Sequence, residues 1–83
     1  MPELVITIYS RPGCHLCEVA RAAIASLGDE FEIRIEEVNI DTDPALYDEY
    51  KNEIPVVFIN GVKAFKYRVD PAELRRKLKR RRD

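Results

Sequence analysis

Tyr9-Ser10-Arg11-Pro12-Gly13-Cys14-His15-Leu16-Cys17 is the stretch on which the reading of this 83-residue chain turns. Ahead of it, Leu4-Val5-Ile6-Thr7-Ile8-Tyr9 is a nearly continuous run of β-branched and aromatic residues, which suits a central strand covered on both faces. Pro12 and Gly13 break the run. From His15 to Leu27, Leu16, Val19, Ala20, Ala23, Ile24 and Leu27 recur at helical spacing. Gly28 supplies the stop, expected as a left-handed C-terminal residue. The two cysteines therefore fall where a strand gives way to a helix.

These are the only cysteines in the chain. A bridge between residues three apart closes almost no loop and removes little entropy from the unfolded chain, so a structural staple is not expected. An isolated close pair fits a cytoplasmic protein with reactive thiols better than a secreted disulfide scaffold. Glu3 precedes the first apolar run with no basic segment or small-residue cleavage site, so no signal peptide is expected. No stretch approaches the length of a membrane span, and no membrane contact is expected. The length allows one domain, residues 1–83, with a small core. A composition of 46% hydrophobic and 35% charged residues argues against disorder.

Working outward, Phe31 to Ile40 is a second strand whose apolar phase changes at Glu36-Glu37, from Phe31, Ile33 and Ile35 to Val38 and Ile40. A bulge or a late strand start would explain the change. Asp41-Thr42-Asp43-Pro44 is helix-initiation chemistry for a short helix over Ala45 to Tyr50. Ile54-Pro55 leads a third strand through Ile59, Asn60-Gly61 signals a hairpin, and Val62 to about Tyr67 returns as a fourth. Asp70-Pro71-Ala72-Glu73 resembles a capping box that opens a last helix, with Leu74 and Leu78 on one face. The order β-α-β-α-β-β-α implies an α/β domain. Its first two strands are parallel through a right-handed crossover, its last two form an antiparallel hairpin, and the four-stranded mixed sheet is flanked by helices.

A strand, then Cys-x-x-Cys at a helix start, then Ile-Pro before a hairpin resembles the thioredoxin fold. Within it, Tyr9-Ser10-Arg11-Pro12-Gly13-Cys14-x-x-Cys17 is similar to the Tyr-Ser/Thr-Lys/Arg-Pro-x-Cys-x-x-Cys signature of glutaredoxins and glutaredoxin-like proteins. Ile54-Pro55 resembles their Val-Pro. The chain departs from the typical pattern in having His15-Leu16 between the cysteines. It also lacks the Gly-Gly that follows the hairpin where glutathione is held, its own stretch being Ala64 to Asp70, and it has no Trp. The resemblance implies a dithiol–disulfide oxidoreductase with Cys14 attacking and Cys17 resolving. It also implies that Pro55 is cis and faces the dithiol, and that the Ile54 backbone pairs with an extended substrate. Tyr9, at the end of the first strand, reads as core or as part of the substrate-binding wall and not as a catalyst.

The chemistry needs a thiolate, because the thiol is a poor nucleophile. Cys14 at a helix N-terminus meets unsatisfied backbone N–H groups and the positive end of the helix dipole. Arg11 adds positive charge, as does His15 when protonated. A moderately lowered pKa is optimal, since each further drop loses nucleophilicity as it gains thiolate. Cys17, one turn into the helix, attacks the mixed disulfide at high effective concentration.

Disulfide-containing proteins or small thiols are the expected substrates, with glutathione or a thioredoxin-reductase-type enzyme as electron source. No bound cofactor or metal is expected, since His15 cannot readily join its neighbouring cysteines on one zinc ion. A monomer is expected. The alternative is a non-catalytic module of the same fold that engages a partner through a bridging metal or iron–sulfur cluster or through its basic end. Residues 1–68 hold 7 basic and 12 acidic side chains, residues 69–83 hold 7 and 3. Cations at a helix C-terminus complement its dipole. Seven basic residues within 75–82 exceed that need and point to an acidic partner or, less strongly, to nucleic-acid phosphates.

Overall fold

The computed structural model describes residues 3–82. The elements run β1 (Leu4–Ser10), α1 (His15–Ala25), β2 (Ile33–Asn39), a 3₁₀ turn (Ile40–Thr42), α2 (Pro44–Tyr50), β3 (Val56–Ile59), β4 (Val62–Lys66) and α3 (Pro71–Arg82). They form one four-stranded sheet in the order β2-β1-β3-β4. β1 is parallel to β2 and antiparallel to β3, and β4 is antiparallel to β3. This is the mixed sheet expected from the order of elements.

β1 is central because both of its faces are apolar enough to be covered. Leu4, Ile6 and Ile8 point to one side, where Ile24 of α1 and Leu74 and Leu78 of α3 join them with Phe31, Val57 and Ile59. Tyr9 lies on the other side, with Ile40, Tyr50 of α2, Val56 and Phe58. Ile6, Ile8, Ile24, Leu74 and Leu78 are all fully buried. Each such side chain is worth about 1.5–3 kcal/mol of burial, a large share of what a domain this size commands.

The apolar phase change in β2 has a different cause from either one expected. The register with β1 is unbroken from Leu4↔Ile33 to Ser10↔Asn39, so there is no bulge. Both faces of the sheet are covered, and the strand serves one after the other. Ile33 packs on the α1/α3 side together with Phe31, and Ile40, just past the strand, packs on the α2 side. Ile35, on an edge strand, is left 36% exposed.

The helix ends also differ in detail. α1 stops at Ala25, two residues before Leu27, and Gly28 is not left-handed, the positive-φ glycines among the described residues being Gly13 and Gly61. The chain leaves α1 through successive turns in which Leu27 N–H and Gly28 N–H donate to Ile24 and Ala25 carbonyls. A Cβ on Gly28 would stand 3.2 Å from the Ala25 carbonyl oxygen, so small size, not handedness, suits glycine there. On α1 the buried residues are Cys17, Ala20 and Ile24, whereas Leu16 and Val19 face solvent. The Asp43 carboxylate caps α2 by accepting from Ala45 N–H at 2.9 Å. Asp70 accepts from Ala72 N–H at the start of α3, but Glu73 turns to Arg76 instead of reaching back, so the capping box is half formed.

Asn60-Gly61 makes the hairpin as expected, both residues at positive φ. Asn60 does more than turn the chain. Its N–H donates to the Val5 carbonyl at 2.8 Å and its Oδ1 accepts from Val5 N–H at 2.9 Å, fastening the hairpin to β1.

Candidate active site

The end of β1, the start of α1 and the Ile54-Pro55 turn meet at the C-terminal end of the first strand. Gly13, at φ +78°, lets the loop fold back so that Cys14 arrives as the N-cap of α1. Cys14 and Cys17 form a disulfide with their Cα atoms 5.2 Å apart. The Cys14 Sγ accepts the Cys17 backbone N–H at 3.2 Å, the bond a capping side chain makes with an orphan donor of the first turn. That donor would stabilise negative charge on the same sulfur once reduced.

The two sulfurs differ in access. Cys17 is 2% exposed and packs toward the sheet, while Cys14 is half-buried. Cys14 stands on a ridge between two open clefts. One, of about 370 Å³, is bounded by Arg11, Pro12, Gly13, Cys14 and Ile54. The other, of about 350 Å³, runs along α1 toward β2 past Ser10, Cys17, Arg21 and Glu37.

The Ile54–Pro55 peptide is cis, as the resemblance implies. Ile54 lies in the wall of the first cleft, and its backbone N–H and C=O make no hydrogen bond among the described residues. Pro55 itself is buried, its carbonyl accepting from Tyr67 N–H at 2.9 Å. The turn thus offers one free edge, at Ile54, beside Cys14. Tyr9, expected in the core or at the substrate wall, borders neither cleft and packs against the α2-side core. Its ring stacks on Tyr50 with centroids 4.8 Å apart and meets Phe58 edge-on at 5.5 Å. Period-two alternation explains this: Ile8 and Ser10 face α1, so Tyr9 must face α2. Burial pushes the Tyr50 phenol up from its ordinary pKa.

Arg11 borders both clefts, but its charge is shared. Its Nε lies 2.8 Å from the Asp41 carboxylate, and its guanidinium sits 5.2 Å from the centre of the Tyr47 ring. His15 is the first residue of α1 and exposed, and it borders neither cleft.

Five residues at the site escape a reading of the sequence. Asp41 and Tyr47 hold Arg11. Behind Cys17, the Ser10 hydroxyl donates to the Glu37 carboxylate at 3.0 Å, and the Arg21 guanidinium donates to its other oxygen at 2.9 Å. Ser10 is the buried polar side chain of the described residues, and Arg21 lies one turn beyond Cys17 on the same helix face. The signal for Glu37 lies in the strand register, where it pairs with Ile8 two residues before Ser10.

A cis-Pro beside a Cys-x-x-Cys helix start, on this sheet, defines the thioredoxin fold, and solved thioredoxins share it. The Glutaredoxin-like domain (DUF836) family model matches residues 5–79, and the chain belongs to that family. A glutaredoxin-like protein of Dictyostelium discoideum, the YDR286C homolog, is 35% identical over 83% of this chain and 69% of its own. A structural-genomics target protein of X. campestris superposes with a TM-score of 0.76 at 31% identity, covering 90% of this chain and 96% of that one. NrdH-redoxin of Escherichia coli, a glutaredoxin-like protein with a thioredoxin-like activity profile, does so at 0.65 and 25%, covering 87% and 92%. No helix among the described residues is long and apolar enough to cross a membrane.

Proposed function

We propose that this protein is a dithiol–disulfide oxidoreductase in which Cys14 attacks and Cys17 resolves. The observation that carries the reading is the unequal setting of two sulfurs in one helical turn. Cys14 is accessible and accepts a backbone N–H at the helix start, and Cys17 is buried beneath it. The reduced Cys14 thiolate attacks a substrate disulfide, forming a mixed disulfide and releasing one substrate thiolate, which takes up a proton. Cys17 gives up its proton to solvent and attacks the Cys14 sulfur, which breaks the mixed disulfide, releases the second substrate thiolate to take up a proton, and closes the Cys14–Cys17 disulfide. The two electrons that reduce the substrate come from the pair, so a reductant must return them.

A protein substrate would lie across the cleft at Ile54 and pair with its free backbone edge, as in strand addition. For the electron source, a thioredoxin-reductase-type flavoenzyme is favoured over glutathione. Two features support this: Arg11, the cation nearest Cys14 in sequence, is already paired with Asp41, and the stretch after β4 lacks Gly-Gly. The thioredoxin-like activity profile of NrdH-redoxin points the same way. The test is reduction of insulin disulfides by the full chain, driven either by glutathione with glutathione reductase or by thioredoxin reductase with NADPH. Turnover is expected with the flavoenzyme. No turnover with either reductant, or turnover that survives Cys14→Ser, would contradict the proposal.

A further inference from the structure

The basic end of the chain borders neither cleft at the dithiol. α3 carries Arg75, Arg76, Lys77, Lys79, Arg80 and Arg81 in its last turns, and the structure divides them by task. Arg75 is paired with Glu30, its Nε donating at 2.9 Å, and Arg76 is paired with Glu73. The Lys77 ammonium donates to the Ala64 carbonyl at 3.0 Å and covers the Phe65 ring at 4.8 Å. These three fasten α3 to its surroundings. Lys79, Arg80 and Arg81 are exposed, and none makes an ion pair among the described residues.

Arg80 and Arg81 stand three and four residues beyond Lys77, so the three share one side of the helix. That side bounds a small cleft of about 90 Å³ between α3 and the β3–β4 hairpin, closed by Ile59, Lys63 and Ala64. Among the described residues no carboxylate lines it. The Lys63 ammonium turns away to Glu53 at 2.9 Å. The neighbouring carboxylates Glu30, Glu53 and Glu73 are thus each already paired with a cation. A helix C-terminus carries the equivalent of about half a negative charge, which one cation satisfies. Lys77 and Arg80 feel the Glu73 carboxylate from a distance, but that carboxylate is bonded to Arg76, and among the described residues neither Arg80 nor Arg81 has an ion-pair partner of its own.

We propose that this cleft binds a phosphate group, held by the Arg80 and Arg81 guanidiniums with the Lys77 ammonium behind them. Guanidinium forks donate two parallel hydrogen bonds to phosphate oxygens, and a dianion neutralises two cations where a single carboxylate neutralises one. The cleft admits a group the size of one phosphate and not a folded partner's surface. It is also remote from the dithiol. Ile59 pairs with Ile6, four residues before Ser10, which sets the cleft about 13 Å back along β1 from the thiol end of the sheet. A bound phosphate would leave Cys14 open, so the site serves to localise the protein or to hold a phosphorylated ligand while exchange continues.

The source of the phosphate is either a small phosphorylated molecule or a nucleic-acid backbone. Backbone-amide NMR titration of the full chain at low salt, first with pyrophosphate and then with a short single-stranded RNA, separates the two. Saturable shifts confined to Ala64 and 77–81 with pyrophosphate identify a small ligand. Shifts at those residues that saturate only with RNA, and weaken steeply with salt, identify strand phosphates. In either case Arg80→Ala/Arg81→Ala weakens binding by at least ~10-fold, since each removes hydrogen bonds to a charged group. Arg80→Lys/Arg81→Lys, which keeps the charge and loses the fork, lies in between. Cys14 reactivity is unchanged in both variants. The proposal is overturned by absence of cleft shifts with both ligands, by binding within twofold of wild type in the double alanine variant, or by polyglutamate binding as tightly as RNA at equal charge.

Discussion

The two sulfurs of one short disulfide loop occupy different surroundings. Cys14 sits on the rim between two clefts, half-exposed, with a backbone N–H directed at its sulfur. On its α2 side stand polar and charged groups: Arg11, held by Asp41 and laid on Tyr47. Cys17 is 2% exposed, and the wall beside it is the hydrogen-bonded set of Ser10, Glu37 and Arg21. Three residues of helix are enough to produce this difference, because the first position of a helix faces out along the axis while the fourth packs inward on the sheet. In the proposed exchange the order of the two attacks follows from position, with no special residue required for either sulfur.

Removing the outer sulfur should have the largest effect. Cys14→Ser is expected to lower insulin-disulfide reduction to the uncatalysed rate, a loss of roughly 10³-fold or more, read as the onset of precipitation. Removing the inner sulfur should break a different step. Cys17→Ser keeps the first attack and loses the intramolecular second one, so the mixed disulfide accumulates. Intact-mass spectrometry after mixing with a disulfide peptide should show the adduct in Cys17→Ser and only a trace in wild type.

The walls give smaller effects that differ in kind. Glu37→Gln removes the charge that both the Ser10 hydroxyl and the Arg21 guanidinium are bonded to. It is expected to cost about 1 kcal/mol of stability, measured by urea denaturation, with Cys14 alkylation in the reduced protein changed by less than ~2-fold, the Cys14 side being intact. Asp41→Asn acts on the other wall. It removes a negative charge and releases Arg11, and both changes favour the Cys14 thiolate. Alkylation of Cys14 below its pKa should therefore speed up, by ~2- to 5-fold for an ion pair this exposed. A slower rate would mean that Asp41 serves by placing Arg11 against the sulfur.

The sequence revealed the outer sulfur's setting better than the inner one's. Strand, Gly13 turn, helix start and Ile54-Pro55 are local signals, and each was readable from a few neighbouring residues. Asn60-Gly61 likewise marked its own turn. Glu37 and Asp41 were not readable as site residues, because what brings them there is the parallel pairing of β2 with β1, a contact between residues 27 or more positions apart. The same pairing explains the misread phase in β2, where a switch from one covered face to the other looks like a bulge when neither cover is known. For Tyr9 the choice between core and site wall stays open in the sequence, because proximity to Cys14 along the chain does not decide which face of the strand a side chain takes. At Gly28 the compositional cue for a helix end was sound, but the chain leaves through consecutive tight turns without entering the left-handed region.

The central claim is the division of labour between the cysteines, and it is tested most directly on the reduced wild-type chain. Iodoacetamide is added in limiting amount across a pH series, and the modified cysteine is identified by peptide mass mapping. The account predicts that Cys14 carries nearly all of the label and that its rate titrates below the value of a free cysteine, about 8.5. Label on Cys17 equal to or ahead of Cys14, or a Cys14 titration at or above the free-cysteine value, would contradict it.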